Sequence, residues 1–242
     1  MDRRSFLAMA GLPLGFSAGP PPAVAGDQDR PVGSLRLQET AGLRRFGYPV
    51  HVRLPDQGPL RGVPESRFRL ERHGRDVSAQ FHRVRQADGG SVLEVDFNAS
   101  PGPFELEVYT LHDDPRLPSG RETRRGIHVQ QGLPIIQVAN GPHIAYRLDD
   151  HLQGFVRSVR TPALEFLAPS SRGLFLAKTE EAPQFLSERP EHGQPGPGVE
   201  VTRPGPLAVG LRWQARIALS GRPPLRSTVE LSFPSSKSWI ET

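Results

Sequence analysis

Side-chain alternation of period two governs this chain. In Tyr48-Pro49-Val50-His51-Val52-Arg53-Leu54, the residues Tyr48, Val50, Val52 and Leu54 share one face. In Val92-Leu93-Glu94-Val95-Asp96-Phe97, the apolar Leu93, Val95 and Phe97 alternate with Glu94 and Asp96. Phe104-Glu105-Leu106-Glu107-Val108 repeats the pattern, with Leu106 and Val108 expected inward and Glu105 and Glu107 outward. Successive side chains of a strand point to opposite faces, so each segment offers an apolar side to a core and a polar side to water. Residues 68–72 and 77–81 add two more such stretches. Turns at His73-Gly74, Asp88-Gly89-Gly90 and Pro101-Gly102-Pro103 separate the four segments between 68 and 108, which predict an antiparallel meander.

Beyond it, residues 112–125 carry Pro115, Pro118 and Gly120 and read as a long polar connection. The chain accordingly divides into an N-terminal β domain over 33–126 and a second β-sandwich-like domain over 127–242. In the second, strand patterns recur at 127–129, 134–139, 143–148, 155–159, 164–167, 173–178, 199–202, 207–219 and 227–233. Asn140-Gly141 marks a hairpin-like turn with Pro142 after it, and 238–241 offers a last edge strand. Residues 187–198 form a Pro- and Gly-rich loop, and 181–187 one short helical turn with Pro183 near its start. The expected fold class is all-β: an antiparallel β-barrel or sandwich domain followed by a second β-sandwich-like domain.

The first 25 residues follow a different logic. Arg3 and Arg4, a short apolar stretch and Ala23-Val24-Ala25 make a signal peptide over 1–25, cleaved after Ala25. The paired arginines followed by Ser5-Phe6-Leu7 resemble the twin-arginine export motif, which implies passage of the folded chain through the twin-arginine translocase of a bacterium. The expected location is periplasmic or extracellular. The apolar stretch is too short and Gly-rich for a stable membrane span.

Composition narrows the chemistry. The chain has no cysteine, which removes disulfides, thiolate catalysis and Cys-ligated metals. The net charge of +4 invites a nucleic-acid reading, but Lys178 and Lys237 are the only lysines among 30 Lys and Arg, and the arginines are scattered among 26 acids. No basic stripe or nucleic-acid motif accompanies them, so no nucleic-acid partner is expected. Beyond residue 25, Gly-x-Ser-x-Gly, Ser-x-x-Lys and glycine-rich phosphate loops are absent, and no cofactor is implied. His112-Asp113-Asp114 and Asp149-Asp150-His151 lack the spacing of a metal motif and read as acidic turns at strand ends. Ser235-Ser236-Lys237-Ser238 reads as an exposed loop. No catalytic residue is assigned. Four residues are candidates for ligand binding. Trp213 and Trp239 could stack on sugar rings, although a strand tryptophan is more often core. Tyr146 beside Arg147 could pair a base with a cation, although strand alternation accounts for both.

The stretch from Ala41-Gly42-Leu43-Arg44-Arg45-Phe46 to Gly47-Tyr48-Pro49-Val50 resembles the N-terminal region of exo-rhamnogalacturonan-lyase-like proteins. Gly205-Pro206-Leu207-Ala208-Val209 and Ser227-Thr228-Val229-Glu230-Leu231-Ser232-Phe233 resemble the β-sandwich pattern of the same proteins. The resemblance implies a barrel-like or sandwich domain, a following β-sandwich, and an acidic polysaccharide as partner. Those enzymes are longer and carry a helical catalytic toroid that this chain has no segment to form. The leading expectation is an exported carbohydrate-associated module that is non-catalytic by itself. A compact polysaccharide lyase and a structural or interaction protein of the cell envelope are the alternatives.

Overall fold

A computed structural model describes residues 6–11, 29–86, 88–117, 126–132, 135–140, 143–149, 156–167, 175–177, 183–185, 199–219, 222–238 and 240. The chain divides into two units, Met1–Thr123 and Arg124–Thr242, and every strand pairing described is antiparallel.

Unit 1 contains β1 (Phe6–Gly11), β2 (Arg30–Glu39), β3 (Tyr48–Pro55), β4 (Phe68–Arg72), β5 (Arg75–Val77), β6 (Ala79–Arg85), β7 (Ser91–Ala99) and β8 (Leu106–Asp113). They form two sheets, β1-β2-β8-β4-β5 and β3-β7-β6. The apolar sides of both sheets supply one core: Leu35, Leu37, Leu70 and Leu111 from one, Val50, Val52, Leu93, Val95 and Phe97 from the other. Phe97 and Tyr109 meet between the layers with ring centroids 4.7 Å apart, the tilted arrangement that aromatic quadrupoles favour.

Three expectations are corrected here. The barrel is overturned: each sheet is open, because the three-residue β5 ends one and β3 and β6 flank β7 without meeting. The architecture is a two-layer sandwich. The meander is overturned as well. β4 pairs with β8 rather than with the segment that follows β5, and the stretch 77–81 is divided at Ser78 between two sheets. Alternation marks which side chains face a core but carries no information on which strand is the neighbour. The connection at 112–125 begins two residues late, since β8 runs through His112 and Asp113.

Unit 2 contains β9 (Ile127–Gly132), β10 (Ile135–Asn140), β11 (Ile144–Asp149), β12 (Val156–Arg160), β13 (Phe175–Ala177), β14 (Pro183–Phe185), β15 (Val199–Pro204), β16 (Ala208–Leu219) and β17 (Arg222–Pro234). Its sheets are β12-β11-β10-β9, β15-β16-β17 and the short pair β13-β14. Ile127, Val138, Tyr146 and Leu148 pack with Val209, Leu211, Trp213, Leu231 and Phe233 in a second apolar core. The expected helical turn over 181–187 is a strand at Pro183–Phe185. Residues 164–167 give an isolated bridge, Arg160 to Glu165, rather than a strand, and Ser238 and Ile240 lie outside any strand. One close approach fixes the start of β9. The Ile127 N–H donates to the Pro206 carbonyl at 2.9 Å, and a side chain on Gly126 (φ +136°) would begin 2.4 Å from that same oxygen. Only glycine fits there.

Candidate functional site

The departure from the sequence expectation that bears on function is β8. Its parity is inverted: Glu107, Tyr109, Leu111 and Asp113 face the core, while Leu106 is 53% and Val108 44% exposed. Glu107 is tolerated inside because it is ion-paired through one carboxylate oxygen and hydrogen-bonded through the other. Arg72 Nη1 lies 2.8 Å from Glu107 Oε1, and the Tyr109 hydroxyl donates to Glu107 Oε2. Burial and the neighbouring carboxylate push the Tyr109 phenol upward, so it stays protonated as a donor. With the acid paired, the larger apolar surface of Tyr109 and Leu111 decides which side turns inward.

The loops at the start of β8 carry further exposed apolar side chains. Residues 40–47 and 100–105 are bound together around the fully buried carboxylate of Glu39. Glu39 accepts the N–H groups of Ala41 at 3.0 Å, Leu43 at 3.0 Å and Phe104 at 3.2 Å. Arg45 adds an ion pair at 3.5 Å and lays its guanidinium over the Tyr48 ring at 5.2 Å. Burial alone would raise the Glu39 pKa, but the backbone donors from Phe104, Ala41 and Leu43 outweigh it and hold the carboxyl below its ordinary value. Two further bonds tie the loops, Arg45 N–H to the Pro101 carbonyl at 2.9 Å and Gly47 N–H to Ser100 Oγ at 2.9 Å.

On this scaffold Leu43, Phe46 (69%) and Phe104 (67%) stand exposed. Phe104 has φ +56°, a conformation that bulky L-residues rarely adopt. Its ring lies on Gly42, where an added side chain would begin 2.7 Å from the ring. A strained, exposed aromatic on a tightly bonded loop is the kind of local cost that proteins retain at functional surfaces. Cations and amides border these apolar side chains: Arg36 stands opposite Val108 and Gln38 opposite Leu106 on the outer face of β2, and exposed Arg44 belongs to the same loop as Leu43 and Phe46.

The candidates expected from sequence lie elsewhere. Trp213 is 0% exposed and Tyr146 is 2% exposed, so both are core residues with no face for a sugar. Tyr146 meets Phe233 edge-on at 5.0 Å, and burial raises its pKa, which removes it as a base. Arg147 is exposed on β11. Being next in the strand, it projects to the opposite face, so the structure does not bring the pair together. Trp239, and the export residues Arg3, Arg4, Ala23 and Ala25, lie outside the described residues. Phe6–Gly11, within the expected signal peptide, is strand β1 on the edge of β2.

Within the His112-Asp113-Asp114 cluster, His112 and Asp113 belong to strand β8 and a part-buried charge network, while Asp114 opens the turn that follows. His112 Nδ1 is 3.0 Å from Asp29, Arg67 is 2.7 Å from Asp113, and Asp114 is held by Arg116 at 3.0 Å. Arg69, in register with His112, pairs with Asp29, with Glu71 at 2.9 Å and with Asp76. These charges are committed to each other. Among the described residues, no group of His, Asp and Glu side chains has the arrangement of a metal site, and no helix is long and apolar enough to cross a membrane.

Neither protein-family models nor curated proteins give any match to this chain. The lyase-like resemblance therefore rests on the motifs quoted above, the first of which supplies Leu43, Arg44 and Phe46 of the platform.

Proposed function

We propose that the protein is an exported, non-catalytic carbohydrate-binding module whose unit 1 lays an acidic polysaccharide along the stripe from Phe46 and Phe104 to Leu106 and Val108. The observation that carries this reading is the inverted parity of β8, which turns two apolar side chains to solvent beside a fixed pair of exposed phenylalanines. Pyranose rings present apolar C–H faces that stack on aromatic and aliphatic side chains, and Arg36, Arg44 and Gln38 border the stripe as partners for carboxylates and hydroxyls. Binding is favoured over elimination because the acids beside the stripe are committed: Glu39 to backbone N–H groups, and Glu105 to the Gly102 N–H at 2.6 Å and to Arg72 at 3.0 Å. The twin-arginine leader would deliver the domain already folded, which suits a chain with no cysteine to cross-link.

The test is affinity electrophoresis and calorimetry on polygalacturonate and on neutral amylose. The wild-type protein is expected to be retarded by the acidic polymer, and L106S/V108S to lose at least tenfold in affinity with an unchanged thermal midpoint. An ultraviolet-absorbing unsaturated product would replace the binding reading with a lyase, and equal affinity for both polymers would remove the acidic preference. Export is tested separately: R3K/R4K should retain the protein in the cytoplasm.

A further inference from the structure

Unit 2 holds a cavity of about 690 Å³ near the end of its sandwich, built from the β10–β11 turn, the end of β12 and the turn after β17. Its walls combine three kinds of chemistry. Phe166 supplies an aromatic face, 57% exposed. Ser235, Ser236, Ser238 and Thr161 bring hydroxyls, and Lys237 brings a cation.

The walls are fixed from within. Asn140 Nδ2 donates to the Ser235 carbonyl at 2.6 Å, fastening the end of β10 to the serine turn. Glu165 holds the Phe166 loop: it accepts the Ser158 hydroxyl and the N–H groups of Val159 at 2.9 Å and Leu167 at 3.2 Å. The Ser158 hydrogen bond leads the effects that lower its pKa. The Phe166 N–H donates to the Val159 carbonyl at 2.8 Å, which fixes the backbone that carries the ring. One polar group of the wall lacks its complement. Ser236 Oγ is buried and has no hydrogen-bond partner among the described residues, and a buried hydroxyl left unpaired is destabilising.

We infer that this cavity is a binding site for a single sugar acid, a monosaccharide-sized polyol bearing one carboxylate. The ring stacks on Phe166, the carboxylate meets Lys237, and a hydroxyl satisfies Ser236. The volume lies within the range of about 300–1,000 Å³ for small-molecule sites, and the lining residues all belong to unit 2. The site is thus separate from the stripe on unit 1 and does not depend on it.

The experiment is calorimetric titration of the whole protein with glucuronate, with glucose as the ring without the charge, and with acetate as the charge without the ring. Glucuronate should bind saturably, at least tenfold more tightly than either control. K237M should erase the preference over glucose, and F166A should weaken glucuronate and glucose alike, both with wild-type thermal midpoints. Absence of saturable glucuronate binding at millimolar concentration, or an unchanged preference in K237M, would overturn the assignment. L106S/V108S serves as the internal control: it should leave glucuronate binding intact, so that failure of the cavity and failure of the unit 1 stripe give different results.

Discussion

The β8 strand of unit 1 and the β16–β17 hairpin of unit 2 start from the same kind of alternation and end with opposite relations to water. On β16, Val209, Leu211 and Trp213 are buried, while Arg212 lies outside between Glu230 at 2.8 Å and Glu200 at 3.3 Å. Apolar residues face the core and charges face each other in solvent. On β8 the acid Glu107 is inside and Leu106 and Val108 are outside. The difference teaches that parity is set by the whole side rather than by the most visible pair. Where a buried acid finds Arg72 and Tyr109, the side with the greater apolar area wins and the remaining apolar residues are left exposed.

The largest effect expected belongs to unit 2. Trp213→Ala removes the largest fully buried side chain among the described residues and should lower unfolding free energy by about 3–5 kcal/mol in denaturant titration. A loss under 1 kcal/mol would mean that this core is not organised around it. In unit 1, Arg72→Met leaves Glu107 buried without its cation and should cost about 3 kcal/mol, the low end for a buried pair because Arg72 is part-exposed. Replacing both, R72M/E107L, should recover most of that loss. If the double variant is as unstable as the single one, the inverted parity has another cause.

A smaller effect is expected in acid. The folded-state pKa of Glu39 lies below the ordinary value of 4.5, so its stabilisation is complete above that value and lost as pH falls through the folded pKa. Thermal midpoints measured from pH 7 to pH 3 should therefore fall less steeply in Glu39→Gln than in wild type. The smallest effect is at Phe104. Relief of its positive φ by glycine should leave stability unchanged or raise it by up to about 1 kcal/mol while weakening acidic-glycan binding. Unchanged binding would separate the strain from function.

Much of the architecture is legible in the sequence. Residues 48–54 announce their buried face by alternation alone, and His73-Gly74 adopts the paired positive φ that a tight hairpin demands; in 92–97 the apolar face is legible but the expected solvent face is not, since Glu94 and Asp96 are buried beside Arg53 and His51. The sandwich rather than the barrel is not legible, because pairing depends on contacts distant in sequence: β4 with β8, and β3 with β7. The platform is half legible. Residues 41–50 draw attention through their resemblance, but the organiser Glu39 looks like any other acid at a strand end until Phe104, 65 residues away, is seen to donate to it. Trp213 attracts a ligand-binding reading because tryptophan suits both a core and a sugar, and only burial separates the two. Ser235-Ser236-Lys237-Ser238 reads as a plain loop because a cavity wall needs its opposite side, supplied here from residues 140–166.

The absence of cysteine allows the central claim to be tested directly. Single cysteines placed at 106, 107, 108 and 109 report which way β8 faces through their rates of reaction with a soluble maleimide under native conditions. Rapid labelling of L106C and V108C with slow labelling of E107C and Y109C is the predicted result. Protection at 106 and 108 with rapid labelling at 107 would contradict it, returning Leu106 and Val108 to the core and leaving no apolar stripe on β8 for a glycan.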